Sequence, residues 1–318
     1  MTRSSRMLSY RFRCGRLQGS ATFLVALLVM VVLTVSIGFN WLVREYIKSA
    51  LAFEEKVSAM LKARSAYDTL LYLMLNANFS QRELLVPQME GLFNATSIPL
   101  NGTIIPFSED ITVEVQDSNG LLSISTIKVD ALHRLLTLLG VEKKDADVIT
   151  DSLLDWIDRD DLVRVNGAEK QWYSSQGLKY APRNYPLQYP EEIKLVRGMT
   201  PSLYEKLEPY LTILPQTGFN PNTAKDEVLL AYLDIDQETL KVLKEYLQTK
   251  PITSDAELFS ITGRRIVVEE GVYFFPSGYV EVRVRVGNYT KPYYTVRAGI
   301  YLRENLYSPY TILYWKED

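Results

Sequence analysis

The stretch GSATFLVALLVMVVLTVSIGFNWLV, residues 19–43, carries no charge, and the residues before it hold five arginines and no acid. The uncharged run extends from Leu17 to Val43, about 27 residues. That exceeds the roughly 7–15 apolar residues of a cleaved secretion signal and suffices to cross a bilayer as a helix. No Ala-x-Ala box follows it. Arginines on one side only place the amino terminus in the cytoplasm and send the rest across the membrane. Three readings are open: a signal that is removed, a plain anchor, or a segment used first as anchor and then as building material.

The pattern beyond the membrane favours the third. Leu42, Ile47, Leu51, Val57, Met60, Leu61, Tyr67, Leu70, Leu71 and Met74 recur at helical spacings, and no proline appears before Pro87. One helix from about Ala21 to Ala77, entering the membrane and emerging as an amphipathic stalk, is predicted.

Composition narrows the function. The five leader arginines are Arg3, Arg6, Arg11, Arg13 and Arg16, so a chain starting at Ser20 carries a formal charge of −8 instead of −3. An acidic exported part is ill-suited to phosphate backbones. The single cysteine, Cys14, lies in the basic leader, which excludes an intrachain disulfide. With His133 as the one histidine, a zinc site is disfavoured, whereas oxygen-ligated metals remain open.

From Asn78 to about Asp130 turn residues flank the alternating strand Ile111–Val115, and Asp117-Ser-Asn-Gly120 reads as a hairpin turn with Leu121–Ser125 returning. Residues 129–271 are helical in pattern, with helices expected at 131–139, 145–157, 191–196, 201–208, 225–233, 237–247 and 255–259 and an irregular stretch at 158–189. The last segment alternates again: Tyr279–Val286, a turn at Gly287-Asn288, then Tyr293–Leu302 and Tyr310–Trp315. Strands therefore bracket a helical insertion. The expected architecture is α+β: 20–77 a transmembrane and stalk helix, 78–128 with 272–318 a sheet-bearing body, and 129–271 an inserted all-α domain.

The densest polar constellation is Asp155-Trp-Ile-Asp-Arg-Asp-Asp161 with Asn166-Gly-Ala-Glu169. Asp155 and Asp158 share a helix face; Asp160 and Asp161 open a loop from which Glu169 returns. Such carboxylates repel unless a positive charge sits among them. A Ca²⁺ ion, which takes six to eight oxygens, is one solution. Pairing with Arg159 and Arg164, or solvation at a helix end, is another. An acid/base role for the carboxylates is a third reading. Leu195-Val-Arg-Gly-Met199 and Leu258-Phe-Ser-Ile-Thr-Gly263 look like helix-hairpin-helix units, but without a surplus of basic residues, so no nucleic-acid partner is expected.

In order along the chain, several blocks resemble the minor pseudopilin K family of type II secretion systems. They are the acidic-Trp motif at 155–161 with Gly167-Ala-Glu169, Tyr185-Pro-Leu with Glu191-Glu-Ile-Lys-Leu-Val-Arg-Gly-Met199, and Phe219-Asn-Pro-Asn-Thr-Ala224. The resemblance implies a pseudopilin fold in which the long helix packs on an antiparallel sheet, and calcium at Asp155, Asp158, Asp160, Asp161 and Glu169. It implies a prepilin leader, residues 1–19, cut between Gly19 and Ser20 by a prepilin peptidase, with Ser20 then N-methylated.

It further implies a non-enzymatic, single-pass inner-membrane protein with its globular part in the periplasm. Such a protein partners minor pseudopilins I and J and other pseudopilins at the tip of the pseudopilus. Counting from Ser20, position five is Leu24, where ordinary pilin-like subunits have Glu. An apolar residue there suits a subunit with no amine above it to meet. Alternatives are a tip minor pilin of a type IV or competence pilus, and a signal-anchored periplasmic hydrolase or binding protein.

Overall fold

A computed structural model describes residues 20–87, 95–266, 271–288, 291–302 and 307–318. Helix α1 (Ser20–Leu75) matches the helix predicted from apolar spacing. The chain divides into two units, Met1–Val57 and Ser58–Asp318, with the boundary inside this helix. In the first unit the described residues are the helix itself, and every side chain from Ala21 to Lys56 is exposed. By length and composition the helix can cross a membrane. Gly19 and the basic leader lie outside the described residues; Ser20 begins α1.

In the second unit the last turns of α1 bury one face. Ala59, Ala63, Tyr67, Leu70 and Met74, three or four residues apart, are each no more than 4 % exposed. They pack on a five-stranded sheet formed by β4 (Ile105–Ser108), β5 (Ile111–Asp117), β8 (Tyr279–Asn288), β9 (Lys291–Leu302) and β10 (Tyr310–Glu317). Its order is β10-β9-β8-β5-β4, antiparallel throughout. Alternation explains the packing: Val280, Val282, Val284 and Val286 of β8 are buried in this core, while Glu281, Arg283 and Arg285 take the opposite face. Trp315 of β10 meets Tyr67 edge to face at 4.7 Å, and Arg64 of α1 forks onto Glu317 with two bonds of 2.9 Å. A small sheet of β1 (Asn78–Phe79), β2 (Glu83–Leu85) and β3 (Ser97–Pro99) adds Leu84 and Ile98 to the same core.

Between β5 and β8 runs the helical part, with its own core. It comprises β6 (Leu122–Ser123), α2 (Val129–Leu138), α3 (Lys143–Ile157), α4 (Lys170–Ser175), α5 (Pro201–Leu207), β7 (Leu211–Thr212), α6 (Asp226–Leu233), α7 (Gln237–Thr249) and α8 (Asp255–Thr262). α2 ends at Gly140 and α8 at Gly263, both at positive φ, where a glycine costs nothing. Residues 190–195 form a 3-10 turn where an α-helix is expected, opened by Pro190.

Three further local expectations fail. Residues 117–120 are not a hairpin turn: Leu122 and Ser123 pair in parallel with Leu211 and Thr212 instead of returning along β5. The turn is buried, and its chemistry is long-range. Asn119 donates to Val272 O at 2.9 Å and accepts from Thr217 N at 3.1 Å. A Cβ at Gly120 would lie 2.5 Å from Thr223 O. Second, Gly287 and Asn288 belong to β8, where a bulge at Val286/Gly287 carries the positive φ of Gly287. Third, the stretch 158–189 contains α4, a helix too short to show a period.

Candidate metal centre

Helix α3 builds the site by its two faces. Ala146, Ile149, Leu153 and Trp156 face the helical core. Asp151, Asp155 and Asp158, spaced four and three apart, form the adjacent acidic edge where the helix meets the loop 158–169. Asp151 Oδ2 accepts from Asn166 N at 3.0 Å and from its side-chain amide at 3.1 Å, which pins the returning arm of the loop.

Asp155 is fully buried. Its Oδ1 accepts from Arg164 Nη1 at 2.7 Å, and the same nitrogen donates to Asp158 Oδ2. Gly167 permits this closeness: a Cβ there would fall 1.9 Å from Asp155 Oδ2. Arg197 donates to Gly167 O at 2.9 Å and stacks on Trp172, 4.9 Å from its ring centre. Tyr173 packs edge to face on Trp156 and on Trp172. The loop is thus held to the core from both sides.

Glu169, immediately before α4, is 3 % exposed, and neither of its carboxylate oxygens has a hydrogen-bond partner. Asp158 Oδ1 is buried and unpartnered as well. Burial, reinforced by the negative charges of Asp155, Asp158 and Asp161, pushes the Glu169 carboxyl up to about 7. Asp161 Oδ1 accepts from Asn184 Nδ2 at 2.9 Å, and Asp160 Oδ1 from the backbone N–H of Leu162 at 2.8 Å.

The structure therefore brings Asp155 and Asp158 together through Arg164, with Glu169 and Asp161 within their electrostatic reach. Asp160 instead turns to its own loop. Among the described residues no three acidic, His or Cys side chains converge closely enough to hold a metal as they stand. The guanidinium of Arg164 sits where a cation is needed, and it leaves Glu169 unsatisfied.

Both observations fit a site that takes a divalent cation: an orphaned buried carboxylate, and acids already gathered around a positive charge. Asp151 and Asn184 escape a reading by sequence. Asn184, at φ 53°, reaches the loop from more than twenty residues away. Its side chain and backbone close the loop from outside the motif.

Of the amino-terminal positions singled out, Leu24 lies on the exposed part of α1 and is 62 % accessible. Gly19 is outside the described residues.

Residues 107–216, which contain the whole acidic loop, match the family described as type II secretion system (T2SS), protein K. Relatives named type II secretion system protein K include one from Pectobacterium carotovorum subsp. carotovorum, 28% identical over 188 residues, covering 54% of this chain and 56% of that protein. One from Aeromonas hydrophila is 30% identical over 188 residues, covering 56% and 55%. One from Klebsiella pneumoniae is 37% identical over 124 residues, covering 38% of each. The chain spans about half the length of the curated relatives it matches.

A chain in the crystal structure of the GspK-GspI-GspJ complex from the enterotoxigenic Escherichia coli type 2 secretion system superposes with a TM-score of 0.54. It covers 85% of this chain and 98% of its own length. At 19% identity that likeness shows the fold.

Proposed function

We propose that the chain is a member of the type II secretion system protein K family, to which residues 107–216 and its relatives are similar, and hence a minor pseudopilin, a membrane-born filament subunit and not an enzyme. It helps initiate and cap the pseudopilus that extrudes folded proteins across the outer membrane. The observation that carries this reading is the family match at 107–216, behind a helix with every side chain from Ala21 to Lys56 exposed. An apolar helix exposed along its length favours lipid first and neighbouring subunits later. The chain sits in the inner membrane with its amino terminus cytoplasmic and its globular part periplasmic, as the arginine asymmetry supports. Its partners are pseudopilins I and J of its own system, a reading supported by the composition of the complex that holds its structural neighbour.

Leu24 belongs to the tip assignment. At position five after cleavage it leaves no buried carboxylate in the filament core, where an unpaired one is costly.

Calcium belongs to the same proposal. Asp155, Asp158 and Glu169 would hold the ion, with Asp160 and Asp161 completing the acidic loop. The ion supplies the positive charge that the orphaned Glu169 carboxylate lacks. This chain's own residues do the rest. Gly167 leaves room beside Asp155, Asp151 ties down Asn166, and Arg164 holds Asp155 and Asp158 together.

Processing tests the membrane-born part. In cells with an active prepilin peptidase, amino-terminal sequencing is expected to return N-methylated Ser20. In cells lacking the peptidase the chain keeps its leader. A chain beginning at Met1 in both strains contradicts the proposal.

A further inference from the structure

The helical core and the sheet core of the second unit share no residue, and a charged layer lies between them. The sheet face turned away from α1 carries an unusual row. Register places Glu114 opposite Arg283, Arg283 opposite Arg297, and Arg297 opposite Lys316. Three cations thus stand abreast on β8, β9 and β10. Like charges directly opposite one another on a sheet are destabilising.

The helical part supplies the answer. Glu208, just past α5, accepts from Arg283 Nη2 at 2.6 Å and from Arg297 Nη1 at 3.0 Å. Glu191 accepts from Lys316 Nζ at 2.6 Å. Thr212 of β7 donates to Glu281 Oε1 at 2.5 Å.

Apolar bulk in this layer is a small patch, with Leu214 and Tyr314 both close over Gly299. Leu121, Leu214 and Tyr314 are buried there but belong to neither core. A cavity of about 50 Å³ remains between the charges, with room for a few waters. The buried Gln116 Oε1 and Arg297 Nε at this layer have no protein partner. Ion pairs of this kind add little net stability, since desolvation offsets much of their attraction.

The two crossing segments are built differently. Asp117, fully buried, accepts from Ser277 N at 2.9 Å and from Thr223 Oγ1 at 3.0 Å in a hydrogen-bonded knot.

We propose that residues 122–274 form a detachable lobe. It pivots on the Asp117–Ser277–Thr223 knot and is latched to the sheet by Glu208 and Glu191 over the Arg283–Arg297–Lys316 row. Each lobe keeps its own core when the latch opens. The latch responds to ionic strength because its side chains keep 20–31 % of their surface exposed, so salt screens part of their attraction, whereas the two apolar cores carry no charge to screen. The inference does not depend on the calcium site or on the place in the filament.

Hydroxyl-radical footprinting of the full-length chain in detergent tests it. Tyr314 reports the layer; Tyr67 in the sheet core and Tyr173 in the helical core report the fold. Raising salt from about 0.1 M to about 1 M shrinks the Debye length from about 10 to about 3 Å. Tyr314 labelling is expected to rise severalfold over that range, and at low salt in Glu208→Gln, with Tyr67 and Tyr173 still protected. Tyr314 protected in both conditions overturns the proposal. So does labelling of all three tyrosines together, because that is loss of fold and not opening of a latch.

Discussion

Glu169 is the residue whose environment contradicts its chemistry most: a carboxylate shielded from water, unpartnered, and surrounded by other acids. Its carboxyl is raised from an ordinary 4.5 to about 7 in the folded chain. The folded state therefore holds that proton more tightly than the unfolded state. The associated stability is complete below about 4.5 and is lost as pH rises through about 7. Without calcium, the melting temperature is expected to fall between those values, and Glu169→Gln should flatten the fall.

A bound cation reverses the preference, because it needs the carboxylate ionised. At a hundredfold excess over Kd, calcium should raise the melting temperature by roughly 5–10 °C at pH about 8, from linkage and the usual unfolding entropy. The rise should be smaller at pH about 5 and absent in Glu169→Gln. Differential scanning fluorimetry with and without EDTA reads all of this. A melting temperature indifferent to EDTA at both pH values would remove calcium from the account.

At the scale of elements, the tail of α1 carries the sheet. Leu70 is fully buried between helix and strands. Leu70→Ala should therefore cost about 2–5 kcal/mol, as buried leucine truncations do when the cavity cannot close. Denaturant titration of the detergent-solubilised chain, followed by Trp315 fluorescence against Tyr67, measures it. A loss well under 1 kcal/mol would mean that the helix is not packed on the sheet as described.

Long elements were readable because each has a period. α1 repeats its apolar face over many turns, and β8 alternates without a break from Val280 to Val286. The parallel β6–β7 pair could not be read, being two residues on each strand joined across nearly ninety positions. The turn 117–120 misled for a related reason. Its Asp-Ser-Asn-Gly composition suits an exposed hairpin, but its hydrogen bonds go to Thr217, Val272 and Ser277, which no local rule can see.

For the whole molecule, the acidic loop was legible as a constellation but not as a geometry. Spacing located Asp155, Asp158 and Glu169. It left open whether a metal or Arg164 balanced them; the guanidinium bonds Asp155 and Asp158 but not Glu169. Asp160, grouped with them by proximity in sequence, satisfies Leu162 N instead. The basic row on the sheet was invisible in sequence because Arg283, Arg297 and Lys316 come from three strands.

The central claim, that this is a minor pseudopilin acting with I and J, is tested most directly by native mass spectrometry. The full chain is co-expressed with its system's pseudopilins I and J and prepilin peptidase, and membrane complexes are extracted in detergent. The expected result is a heterotrimer with one copy of each, in which this chain has lost residues 1–19. A chain that emerges alone, or that keeps its leader, contradicts it.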